Sequence, residues 1–250
     1  MAGLRAPRAA ASCVVVTCEH ASNAVPGPYK RLGLDRRSLD SHIAHDLGAR
    51  DVARFYARAL GAELHEGKWS RLVVDLNRSV GHRNLIAETS FGTKIPGNTE
   101  LEIEEKQRRV RAYHEPYRRA VVQSLARVAE QCGACVHLSV HSFTPIVNGK
   151  RRDADVGLLF DPSRPNERSL AKRWAQALAA SGLRVRLNYP YRGTADGFTR
   201  NLRELFPASR YTGLELELNQ ALLADRPRRM HIARVTELAF AASLEIGRNS

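Results

Sequence analysis

Short, unbroken apolar runs separated by longer amphipathic stretches recur along the whole chain, and this alternation limits the fold more than any other feature. "CVVVT" at 13–17, "ACVHLSVHSF" at 134–143 and "DADVGLLFD" at 153–161 are too short for buried helices and carry the β-branched residues of strands buried on both faces. Between them lie stretches with helical spacing, such as "NERSLAKRWAQALAASG" at 166–182, closed by Gly182. Such a chain builds an α/β domain, a mostly parallel sheet with helices on its faces. At 250 residues, with no repeat and no Pro/Gly/Ser linker, it reads as a single domain over 1–250.

The elements follow in order. The stretch 41–61, "SHIAHDLGARDVARFYARALG", is expected as one helix, with Ile43, Leu47, Val52, Phe55 and Leu60 on one side and Gly61 as its stop. "AELHEG" and "RLVVDLNRS" read as short strands, and residues 81–99 as a long loop without periodicity. From Glu100 to Gln131 a basic-faced helix is expected, bent near Pro116. "LRVRLNYPY" leads as a strand into a second glycine-rich loop, "RGTADGFTR" at 192–200; "YTGLELELNQ" alternates as a strand, and "VTELAFAASLEIG" closes as a helix.

The net charge of +13 invites a nucleic-acid partner, but the basic residues are nearly all arginine, spread over every helix with no Lys/Arg tract. Nucleic acid is therefore not expected as the main partner. No apolar run approaches the roughly 20 residues that span a bilayer. The first 17 residues superficially resemble a secretory signal; their apolar part runs straight into "CEHASN", so they read as a short tail and a first strand. Cys13, Cys18, Cys132 and Cys135 lie at or near buried strands, and one C-x-x-C, "CGAC", lacks the second pair a zinc ribbon needs. They are read as structural thiols of a cytoplasmic protein.

Chemistry concentrates at strand ends. "VVVTCEH" ends in His20 and "HLSVH" in His141, and in a parallel sheet both endings reach one edge. A third metal ligand is needed; Asp46, near the start of the next helix, is best placed, with Glu19 and His45 as alternatives. Two histidines, a carboxylate and an open position make a catalytic zinc site. The strand "LELELNQ" offers Glu215 and Glu217 on one face, and Glu217, nearer the carboxyl end, is the expected base. Read instead as hydrogen-bonded structural residues, the same histidines would belong to a non-catalytic basic binding protein.

The pieces "CEHASNAVP", "HIAHDLGA", "SRLVVDLNR", "IPGN", "HEPYRRAV", "VHSFTP", "DVGLLFD" and "GLELELNQ", in this order over about residues 13–222, resemble the N-formylglutamate amidohydrolase family, within the zinc-dependent exopeptidases and amidases. The resemblance implies a three-layer, zinc-exopeptidase-like (phosphorylase/hydrolase-like) sandwich. It implies zinc or another divalent metal on His20, Asp46 and His141, with Glu217 as base. The implied reaction is amide hydrolysis of a small N-acyl amino acid, N-formylglutamate first among them, with a different N-acyl amino acid or a peptide as the alternative. A carboxylate substrate calls for bidentate arginines; Arg78 in "DLNR" is the first candidate and Arg200 in "GFTR" the second, with Asn23 and Gln220 as nearby amides.

Overall fold

The computed structural model describes residues 12–246; the expected tail at 1–11 lies outside them. Ten strands are found among these residues. The central ones are β1 (Val14–Cys18), β2 (Glu63–Glu66), β5 (Cys135–Phe143), β8 (Val156–Leu159), β9 (Val185–Leu187) and β10 (Tyr211–Asn219). They form one sheet in the order β2-β1-β5-β10-β8-β9. The pairs β2/β1, β1/β5, β5/β10 and β8/β9 are parallel, and β8 runs antiparallel to β10. The mostly parallel sheet is therefore as expected, and β1, β5 and β10 bring their carboxyl ends to one edge. Two small hairpins, β3 (Thr89–Ser90) with β4 (Thr93–Lys94) and β6 (Ile146–Val147) with β7 (Lys150–Arg151), lie outside this sheet.

Seven helices accompany the strands: α1 (Arg36–Leu39), α2 (Ala49–Leu60), α3 (Ile103–Arg109), α4 (Glu115–Cys132), α5 (Pro165–Ala180), α6 (Phe198–Leu205) and α7 (Arg226–Ile246). Side chains alternate across a strand, and both faces here are apolar. Val14, Val16, Leu138, Val140, Leu214 and Leu216 pack with Val52 of α2, Trp174 of α5 and Phe240 of α7. Val15, Cys135 and Tyr211 point to the other face, against Leu125 of α4 and Leu202 of α6. Trp174 is fully buried, and truncating it to alanine is expected to cost about 3–5 kcal/mol.

The second face also holds a buried polar column. His137 bonds Thr17 and Tyr211, Ser139 bonds Glu19, and Glu215 and Glu217 lie beside them on β10. This column points toward the sheet's functional edge.

Several elements differ from expectation for local physical reasons. The helix expected over 41–61 starts only at Ala49. Before it, the Asp46 amide donates to the His20 carbonyl at 3.0 Å, and Gly48 takes a left-handed conformation with φ +79, where its missing Cβ lets Leu223 approach. "RLVVDLNRS" forms turns rather than a strand. Leu72 and Val73 fill a cluster with Leu32, Ile43 and Ile95, while Val74 and Leu76 pack with Leu85 and Ile86. The loop at 81–99 contains the β3/β4 hairpin. The helix from Glu100 is divided by a π turn at Val110–His114, just ahead of Pro116. The glycine loop ends early, because Phe198, Thr199 and Arg200 already belong to α6, and α7 begins nine residues before its expected start.

The expectation of four free structural thiols is corrected: Cys13 and Cys132 are joined as a disulfide, while Cys18 and Cys135 are free and buried. Among the described residues no helix is long and apolar enough to cross a membrane.

Candidate functional site

His20 stands two residues beyond β1, His141 lies within β5, and Asp46 sits in the turn ahead of α2. The three meet at the sheet's edge, where one donor atom from each lies within 4.8 Å of the others. His141 Nδ1 is 2.9 Å from Asp46 Oδ2 and His20 Nδ1 is 3.4 Å from the same oxygen. The two rings approach edge to face with centroids 5.0 Å apart.

Each imidazole is held from behind. His20 Nε2 donates to Asp75 Oδ1 at 2.7 Å. His141 Nε2 lies 2.9 Å from Ser139 Oγ and 3.2 Å from Glu19 Oε2, and Ser139 Oγ itself donates to Glu19 at 2.6 Å. Carboxylates that grip the outer nitrogen of an imidazole fix its orientation and raise its basicity toward an ion on the inner side. Glu19, weighed from sequence as a third donor, occupies this backing position, with the Tyr117 hydroxyl on its other oxygen at 3.2 Å. His45 does not join the group.

The donor set fits a divalent cation. His20 Nδ1 is buried with no hydrogen-bond partner, a cost of about 1–3 kcal/mol for a group left unsatisfied. Two imidazoles and one carboxylate are the ligands a catalytic zinc takes.

The electrostatics agree. Burial works against the Asp46 and Asp75 carboxylates, but His20 and His141 at the first, and Arg71 and His20 at the second, hold both well below the usual range. Burial likewise works against the His141 cation, yet Asp46 and Glu19 raise its pKa well above the ordinary value. Glu217 goes the other way. Burial pushes its carboxyl up to about 8, with Asp46 and Glu215 adding to the rise and His141 opposing it. Its Oε2 is buried and without a partner.

These groups line a cavity of about 300 Å³ that also carries Arg71, Arg78, Arg192 and Gln220. Arg71 is committed locally, its Nη2 donating to Asp75 Oδ2 at 2.8 Å. Arg78 donates through Nη1 to the Asp196 carbonyl at 2.7 Å. Gln220 Nε2 bonds Ser142 Oγ at 3.2 Å.

Asn23 and Arg200, both expected at the substrate, are not brought to the cavity. Asn23 donates to Asp40 at 2.7 Å, and Arg200 pairs with Glu204 at 3.3 Å, one turn further along α6. Sequence reasoning missed Asp75, Arg71 and Arg192. An acid inside "LVVDL" is costly unless something uses it, and that is the signal by which Asp75 could have been found.

Comparison with known proteins gives the family and the fold. The family model described as N-formylglutamate amidohydrolase matches residues 12–224. The crystal structure of gene product Atu2144 from Agrobacterium tumefaciens is 32% identical, with 96% of this chain and 93% of that one covered and a TM-score of 0.87. That of N-formylglutamate amidohydrolase from Ralstonia eutropha JMP134 is 20% identical over 98% of this chain and 97% of that one, TM-score 0.68, a likeness of fold alone. No curated protein matches.

Proposed function

The chain belongs to the N-formylglutamate amidohydrolase family and is a hydrolase of amide bonds, and from that premise we propose that it converts N-formylglutamate and water to formate and glutamate with a divalent metal, zinc first among them. His20, Asp46 and His141 would hold the ion. The observation that carries this reading is the unpartnered Glu217 oxygen, buried in the lining of the same cavity as Asp46 and two imidazoles whose outer nitrogens are already braced.

When bound, a divalent cation supplies Lewis acidity toward the amide carbonyl and lowers the pKa of water. The protein moves the proton. Glu217 takes it from the attacking water as the water oxygen bonds to the formyl carbon. The same carboxyl then returns it to the nitrogen as the C–N bond breaks, so one water is consumed and Glu217 ends as it began. Burial raises the Glu217 carboxyl above the ordinary carboxylate range, which strengthens it as a base for the first transfer and leaves it able to return the proton in the second. Arg78, with Nε and Nη2 uncommitted among the described residues, would receive a substrate carboxylate. We place the reaction in the cytoplasm, with a small N-acyl amino acid as the substrate.

The test is metal content and formate release, using protein purified without chelator or an oligohistidine tag. The expected result is about one divalent ion per chain and formate and glutamate in equal amounts. A folded protein that takes up no divalent metal and releases no formate refutes the proposal.

A further inference from the structure

A substrate with two carboxylates raises the question of what reads the second one, and the sequence candidate, Arg200, is turned away on α6. We propose that Arg192 is the specificity-determining residue that binds the side-chain carboxylate of the substrate, while Arg78 takes the α-carboxylate. The proposal rests on the amidohydrolase reading above and names the feature of the substrate that this chain selects.

Arg192 is exposed, lines the cavity, and has no acidic or hydrogen-bonding partner for its guanidinium among the described residues. Its neighbours on both sides are pinned. Asn188 Oδ1 accepts from the amides of Phe160 and Gly193, both at 3.0 Å, and Arg203 Nη1 donates to the Gly193 carbonyl at 2.5 Å. A Cβ on Gly193 would stand 2.3 Å from the Phe160 nitrogen, so this backbone sits directly against β8's exit. On the other side, the Tyr191 hydroxyl accepts from Arg152 Nη2 at 3.2 Å, and the Arg152 guanidinium lies 5.2 Å from the ring centre. The backbone that carries Arg192 is thereby held in place at the cavity, and its guanidinium is left free to take an anion.

The same segment is stapled to the loop that carries Arg78. Asp196 accepts from the Ser79 amide at 3.2 Å and from the Ser79 hydroxyl, and the Phe198 amide donates to Asn77 Oδ1 at 2.7 Å. The two segments that carry the arginines are therefore tied to each other, and both arginines line the same cavity. Their depths differ: the Arg78 side chain is 30% exposed and follows Asp75, the residue behind His20, by three positions, whereas Arg192 belongs to the exposed rim. The α-carboxylate sits one carbon from the scissile nitrogen, and the side-chain carboxylate of glutamate sits three. The nearer anion goes to the deeper arginine and the farther one to the rim.

The experiment compares N-formylglutamate with N-formylglutamine, which has the same shape without the side-chain charge, on the metal-loaded wild type and on Arg192→Gln and Arg192→Lys. Arg192→Gln is expected to lower kcat/KM for N-formylglutamate about 100-fold and to move that for N-formylglutamine less than about threefold, since a charge-assisted pair is lost only with the first. Arg192→Lys keeps the charge without the fork and is expected to lose about tenfold on N-formylglutamate. Equal losses on both substrates would overturn the assignment by placing Arg192 at the α-carboxylate, and no loss on either would remove it from the substrate. A wild type that hydrolyses neither compound overturns the N-formylglutamate reading on which the proposal rests, a result separate from any behaviour of the variants.

Discussion

The Nε2 atom of His20 stands 2.7 Å from Oδ1 of Asp75, and the other Asp75 oxygen is bound by Arg71 Nη2 at 2.8 Å. Asp75 thus fixes one of the two imidazoles of the candidate site and is itself fixed. Changing Asp75 to Asn removes the charge that raises His20 basicity and leaves Arg71 only its 3.4 Å contact with Asp46 Oδ1. The expected result is a loss of about 10- to 100-fold in affinity for zinc, read by competition with a chromophoric chelator. Asp40→Asn, at the exposed partner of Asn23, is expected to leave that affinity unchanged. Equal affinities for wild type and Asp75→Asn would show that His20 needs no brace.

Glu217 has one buried oxygen without a partner, and the proposed proton transfers require its carboxyl. Glu217→Gln keeps the volume and removes the base. Turnover of N-formylglutamate should fall about 10²- to 10⁴-fold, with metal content near that of the wild type. A variant that keeps turnover moves the base to Glu215, which lies two residues away on the same face of β10 and lines the same cavity.

The legible part of the fold was the part written as periodicity. The unbroken runs at β1 and β5 and the alternation of β10 placed His20, His141 and Glu217 at one edge before any coordinates, because in a parallel sheet strand ends share an edge. Asp75 was hidden because "RLVVDLNRS" has the composition of a strand but packs Leu72 to Leu76 into two small clusters below a loop. Arg192 was hidden for a different reason. Sequence spacing does not reveal that α6 starts at Phe198, and that start turns Arg200 toward Glu204. The pairing of Cys13 with Cys132 was equally unreadable, since their separation of 119 residues says nothing of two strand beginnings being adjacent in space.

That disulfide offers a clean separation of stability from activity. Cys13 precedes β1, and Cys132 ends α4 just before β5, so the bond lies at the amino ends of strands whose carboxyl ends carry the cavity. Closing a loop of 119 residues stabilises by at most about 5 kcal/mol in the chain-entropy view, with about 2–5 kcal/mol typical of native bridges. Reduction with the thiol-free reductant tris(2-carboxyethyl)phosphine, or Cys132→Ser, is expected to lower Tm by several degrees while leaving kcat unchanged at 25 °C. An enzyme that works in a reducing compartment must meet that second condition. Loss of turnover in a protein still folded would tie the bond to the site and contradict the cytoplasmic placement.

His137 gives the folded state a defined response to acid. It is fully buried on β5, with Nε2 2.9 Å from Thr17 Oγ1 and Nδ1 2.7 Å from the Tyr211 hydroxyl. Burial pushes its pKa down to about 4, against about 6.5 in an unfolded chain. Above about pH 6.5 the imidazole is neutral in both states and its full contribution is present. Between about pH 6.5 and 4 the unfolded chain binds a proton that the folded protein refuses, so stability falls by about 1.4 kcal/mol per pH unit, about 3 kcal/mol in all. His42, His45, His65 and His114 are also shifted down, mainly by burial, and act in the same direction. The variant His137→Gln isolates one proton from that background. Urea unfolding at pH 7, 6 and 5 should give a mean pH slope shallower than the wild type by about 0.7 proton, approaching one near pH 5, although the variant is less stable at pH 7 for want of the Thr17 and Tyr211 bonds. Parallel slopes for the two proteins would mean that His137 accepts a proton in the folded state as readily as in the unfolded one.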